Sequence, residues 1–335
     1  MIELKGDRLT FRFPEVHDSA VLSVEFQRTL RIPDDGTTYS LPPGLGRFPI
    51  RHVDDSPARV PPKWTEHGGV MLPMYQSEAM WVNFFGSHFA DYPFAVKIAA
   101  GKINAVTGDE WNRGLHRRPQ DYVVAPNQPW IDGYCVEKGV IKQFVAMPLG
   151  SGYSAEEQIT GEGDVGGLQI IAYPLKAEAY RRLETSRIVT HQLMAMSDAV
   201  VSLDTDMGLA PGGRMRQEVY EDKFQLDDWD LEHSSRCFVH IANSLVWSDI
   251  TGRKPPTTPP TAREYTNAGL PWFDYYAPGE EAVGGSGLLD GLKSVVEVGK
   301  AKGDVPLPEN QSVAVQNVVE LRKGLKTTEV REGRF

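Results

Sequence analysis

Cysteine is scarce: only Cys135 and Cys237 occur in 335 residues, too few for a disulfide framework or a four-thiolate metal site. Both read as small buried apolar side chains, with one bridge between them as the alternative. Basic residues are short too, with 35 Lys and Arg against 45 Asp and Glu, a formal charge of −10. No basic surplus exists to neutralise phosphates, which excludes a nucleic-acid partner. No apolar run reaches the ~18 residues that a spanning helix needs. The first residues, Met1 to Arg8, carry neither the basic nor the apolar region of a secretory signal. A soluble, cytoplasmic protein is expected.

Standard catalytic signatures are missing as well. The eight histidines never fall at i, i+2 or i, i+4 from one another, and no HExxH occurs. His67-Gly68-Gly69 has no Gly-x-Ser-x-Gly elbow to accompany it. The glycines of the 150–167 stretch form neither a dinucleotide fingerprint nor a phosphate loop followed by Lys-Ser/Thr.

What is present in excess is turn chemistry. Gly 32 and Pro 24 make up about 17% of the chain against roughly 12% in average usage, and they separate short extended runs. Leu9, Phe11 and Phe13 alternate with polar residues. Leu22, Val24, Phe26, Leu30 and Ile32 then oppose Ser23, Glu25, Gln27, Thr29 and Arg31. Period two with one wet face is the mark of an antiparallel sheet, and only Arg28 breaks the apolar row. Further strands are expected at 81–85, 94–99, 103–107, 131–136 and 140–147, and from Leu168. The expected fold is α+β, predominantly antiparallel β, sandwich or barrel-like, with a C-terminal helical extension. Residues 1–175 form the β-rich part and 176–280 an α+β region packed on it, in the same domain or a separate one. A linker and helical tail follow over 281–335. Arg214 to Tyr220 is expected as a strand, Ser235 to Ile250 as a helix or as a strand running into one, and 288–299 and 308–323 as helices.

The stretch Ile141 to Ile171 carries a glycine-rich loop between two strands, where binding residues are often found. Within it Ser154 and Glu157 have capping-box spacing, while Glu156 or Glu157 would serve proton transfer if a pocket raised its pKa. Asp204 and Asp206 follow a short apolar run and form an oxygen-ligand pair suited to a divalent metal. A solvated turn explains that pair more simply, and position twelve of an EF-hand frame is Met215 instead of Glu. Pro129-Trp130-Ile131-Asp132 and Pro271-Trp272-Phe273-Asp274 repeat one unit, the second running into Tyr275. A Trp face beside a carboxylate can stack on a sugar ring and accept its hydroxyl hydrogen bonds. Trp after Pro is more often a core anchor.

Gly46 to Ile50, Gln143 to Tyr153 and Met207 to Arg214 resemble phrases of a recurring family of bacterial and fungal proteins of unknown function, over most of residues 1 to 280. The resemblance implies no activity, cofactor or catalytic residue. Two functional readings follow. The first is a ligand-binding or self-assembling protein without catalysis, its contacts made by Trp130, Tyr153, Trp272 and Tyr275. In that reading the segment after Pro278 docks on a neighbouring subunit to give a homo-oligomer. The alternative is a carbohydrate hydrolase using two of Asp132, Glu156, Glu157 and Asp274, with no cofactor beyond a metal at Asp204 and Asp206.

Overall fold

Alternation over the first thirty residues builds the strands Leu9–Arg12 and Val21–Thr29, which pair antiparallel. The computed structural model describes residues 1–86, 91–186, 206–277, 279–304 and 310–322. Val21–Thr29 continues into a ten-stranded sheet through Ala79–Phe85, Val140–Pro148 and Met207–Arg216. A second sheet of seven strands is centred on Phe94–Ala100, Leu168–Pro174, Ser235–Asn243 and Val70–Met74. Among the described residues strand exceeds helix, 38% against 18%, and thirteen of the sixteen strand pairs are antiparallel, so the chain is α+β dominated by antiparallel sheet; no barrel closes among those residues.

The inward rows of both sheets meet in one apolar cluster. Val24, Phe26, Val82, Phe84 and Phe144 come from the first sheet, and Val96, Ile98, Ile170, Val239 and Ile241 from the second. The strands Met207–Arg216 and Ser235–Asn243 are built into opposite sheets, so residues beyond 175 complete the core begun by those before it. Cys135 and Cys237 are buried and unbonded, one in each sheet. No described helix is long and apolar enough to cross a membrane.

Several expectations need correction. The face of Val21–Thr29 expected to be wet is closed: Glu25, Gln27, Thr29 and Arg31 are all buried. Polar pairing offsets the cost: Arg8 Nε and Arg47 Nη1 donate to the Glu25 carboxylate at 2.7 and 2.9 Å, and Arg31 donates to the neutral amide oxygen of Asn310 at 2.8 Å. The strand expected at 214–220 is Met207–Arg216. It runs through Gly212 and Gly213 because a Cβ there would stand 2.5 Å from Val145 and 2.4 Å from the Pro33 carbonyl oxygen. Ser235 to Ile250 resolves as the strand Ser235–Asn243 entering the helix Ser244–Thr251, with Asn243 capping the Leu245 amide at 3.0 Å. In place of a second tail helix, Val318–Arg322 is a strand parallel to Trp272–Tyr276. The helices expected near 288–299 are Gly287–Asp290 and Val295–Lys302. The short apolar run expected before Asp204 lies outside the described residues, as does Asp204 itself.

Candidate functional site

The four candidate catalytic carboxyls are each engaged by a different set of neighbours. Glu157 closes the capping box of the helix Ala155–Thr160, taking the Ser154 amide at 3.0 Å, and also accepts from the Gly152 amide at 2.6 Å. Glu156 is buried and clips the glycine loop, accepting the Val165 and Gly166 amides at 3.1 and 2.9 Å. Burial pushes its carboxyl up. Asp132 is fully buried against Gln217, which donates to Oδ2 at 2.6 Å; burial pushes this group up to about 7, against the opposing pull of hydrogen bonds from Trp130 and Gln217. Asp274 pairs with Arg216 at 3.1 Å. Asp206 sits where its backbone bridges to Ala242, and burial pushes its carboxyl up to about 6. Among the described residues no three His, Cys, Asp or Glu side chains are gathered to hold a metal.

Three of the four aromatic candidates do come together. Trp130 meets Tyr275 edge-on at 4.6 Å, and both pack on the cluster that buries Trp272. Trp272 is fully buried and donates from Nε1 to Thr266 at 3.1 Å, so it backs a groove of about 630 Å³ that Arg263, Asn267, Leu270 and Gln316 help to line, without presenting a stacking face. Tyr153 stands apart: the Lys302 ammonium lies 4.4 Å over its ring and its hydroxyl donates to Asp304.

The most unusual constellation lies elsewhere, at the residue that breaks the apolar row. Arg28 shares the inward parity of Phe26 and Leu30 and is 0% exposed. Its Nε donates to Glu78 Oε1 at 2.6 Å, and Nη2 donates to the same oxygen and to the Thr257 carbonyl at 2.9 Å. Phe48 lies under the guanidinium at 5.5 Å. Nη1 is buried and has no acceptor among the described residues. Glu78 is as deeply buried and takes the Tyr75 amide on Oε2 at 2.9 Å. Burial pushes Glu78 up and outweighs the opposing pull of the Arg28 charge. Tyr75, pushed up to about 12 chiefly by burial and then by Glu78, donates its hydroxyl to the Pro256 carbonyl at 2.9 Å. Ser244 Oγ, also buried, lies beside it and works against that rise.

The local chain explains this arrangement. Tyr75 to Glu78 is the turn between Val70–Met74 of the second sheet and Ala79–Phe85 of the first, so it joins the two layers. Ser77 takes φ +69° there, one of two non-glycine residues with positive φ among those described. Such strain costs on the order of 1–3 kcal/mol and gathers at functional sites. A fully buried ion pair is also a poor stabiliser compared with apolar side chains of the same volume. The Pro-rich segment 254–260 covers the pair, tied to it through the Thr257 and Pro256 carbonyls. Sequence reasoning had the needed signal in Arg28; its partner Glu78 carried no motif.

Comparison with family models, curated proteins and solved structures returns no match.

Proposed function

We propose that this chain is a binding protein for a small organic acid, received at the buried guanidinium of Arg28. The observation behind the reading is that Arg28, with no exposure at all, keeps Nη1 without an acceptor among the described residues. An unsatisfied buried donor on a charged group is costly, and an incoming carboxylate would satisfy it with a charge-assisted bond. The Tyr75 and Ser244 hydroxyls supply further polar contacts, and entry requires segment 254–260 to release the Thr257 carbonyl. The hydrolase alternative is the weaker reading: burial raises Glu156 and Asp132, but Asp132, Glu156, Glu157 and Asp274 have separate partners. Self-assembly through the tail is a weaker reading, because Val318–Arg322 pairs with the chain's own Trp272–Tyr276; a higher mass by light scattering would revive it.

The test is calorimetric titration of the full chain with acetate, pyruvate and succinate, beside the double variant Arg28→Met/Glu78→Met. Replacing both partners leaves no stranded charge, so the variant is expected to fold and to lose binding of whichever acid the native chain takes. Equal binding by both proteins, or binding of none of the three acids, overturns the reading. Proton NMR of the bound acid over hours should show it unchanged; its consumption would make the site catalytic.

A further inference from the structure

We propose that a second guanidinium, that of Arg236 on the outer face of the seven-stranded sheet, forms a separate site for a planar carboxylate such as an aryl acid. Alternation along Ser235–Asn243 sends Cys237, Val239 and Ile241 to the core and Arg236, Phe238 and His240 to the opposite face. There the Arg236 guanidinium lies 4.2 Å over Phe238 and 5.3 Å over Trp111, held between two rings. His67 stacks on Phe238 with centroids 4.5 Å apart and planes within 9°. The result is a layered, half-buried surface whose planes already suit a flat ligand.

The charge is uncompensated. Arg236 has no ion pair among the described residues; its one side-chain bond runs from Nη2 to Gln169 Oε1. The nearby Lys97 is different, being neutralised by Asp121 at 2.7 Å. Burial works against the Arg236 cation, and Arg113 adds a further positive charge close by that acts in the same direction. Arg236 Nε, Trp111 Nε1 and His67 Nδ1 are buried nitrogens without hydrogen-bond partners among the described residues. Among the described residues Nη1 makes no hydrogen bond, and Nη2 keeps a second N–H beside its bond to Gln169. An end-on bidentate carboxylate fits those two nitrogens, and its aryl group would extend over the adjoining rings. The chain as a whole carries −10, so attraction of an anion here must come from this local arrangement.

The site is independent of Arg28 and is read separately. Benzoate, inorganic phosphate and cyclohexanecarboxylate are titrated against the full chain at constant ionic strength. Benzoate is expected to bind most tightly. Arg236→Lys, which keeps the charge and loses the fork, should weaken it about tenfold, and Arg236→Met should remove it, in line with one lost charge-assisted pair. Gln169→Met frees Nη2 and should tighten binding. Burial and then the Arg236 charge hold His67 below the usual histidine range, with Glu66 opposing and Lys63 reinforcing the shift. Bound benzoate should therefore raise the His67 titration midpoint by NMR, a readout that a purely structural Arg236 would not move. Absence of benzoate binding, native-like affinity in Arg236→Met and Arg236→Lys, or preference for phosphate or the non-planar acid each overturns the proposal.

Discussion

Arg28 and Arg236 show two ways to hold a guanidinium on a β-sheet, one per sheet and one on each kind of face, inner and outer. Arg28 in the first sheet is sealed, bonded to Glu78 and capped by a backbone carbonyl. Arg236 in the second is half-buried, has no carboxylate among the described residues and is held by the faces of Phe238 and Trp111. A paired buried charge depends on its partner, because removal leaves an ion in low dielectric. A ring-held charge depends on no single neighbour, because the stacking interaction is worth only about 0.5–2 kcal/mol. The first arrangement is stiff and closed; the second leaves a donor edge for something else.

The largest expected effect breaks the Arg28 side of the comparison. Glu78→Ala strands the guanidinium without its counter-charge and should lower stability by about 3–5 kcal/mol, read from urea unfolding at neutral pH. A loss below about 1 kcal/mol would mean that water or another side chain already satisfies Arg28. The double methionine variant should recover most of the loss, separating the cost of a stranded charge from that of lost volume.

A pair of buried titrating groups extends the contrast between the sheets. Asp132, beside the first sheet's strands, is pushed from an ordinary 3.8 up to about 7 by burial. Between those values the folded state binds more protons, so stability falls as pH rises through the window. His240, on the second sheet, is stacked on Trp64 at 4.8 Å, and burial brings it from 6.5 down to about 4. Its contribution is present above 6.5 and is lost as pH falls toward about 4. Each effect is on the order of 3–5 kcal/mol at most, and over their shared window they oppose and mask one another. Asp132→Asn, which keeps an acceptor for Gln217, should therefore be more stable than the native chain at pH 8 and should lose stability more steeply on acidification. His240→Asn should show the reverse slope, gaining stability from pH 7 to 4. Parallel melting curves for the native chain and both variants across pH 4–8 would refute the assignment.

The sheet scaffold was legible because period-two alternation is local: Leu9 to Ile32 announces its pairing without help from the rest of the chain. The capping box at Ser154 and Glu157 was equally readable. Burial of the Glu25 and Arg31 face was not, because its cover comes from Arg47 and, across 279 residues, from Asn310. The Gly212-Gly213 strand was hidden for the same reason, since glycine reads as a turn until Pro33 is seen packed against it. The two arginines divide in the same way. Arg28 was visible as a misfit within its own strand, whereas Glu78 is found only through the pairing of Val21–Thr29 with Ala79–Phe85. Arg236 opens a strand whose helix-or-strand character the sequence left undecided, so neither its face nor its rings had a local signature.

The smallest effect tests whether the ring-held arginine is truly unpaired. Arg236→Met keeps much of the side chain's volume over Phe238 and removes only the charge and the bond to Gln169. Because no carboxylate is left behind, unfolding should shift by about 1 kcal/mol or less, several-fold below Glu78→Ala. The sign is informative as well: relief of the repulsion with Arg113 offsets the lost cation–π contact, so a slight gain is as consistent as a slight loss. A drop of about 3 kcal/mol or more would place Arg236 in the same class as Arg28. It would show that an anionic partner on this face is already built into the folded chain, leaving no guanidinium edge for an incoming acid.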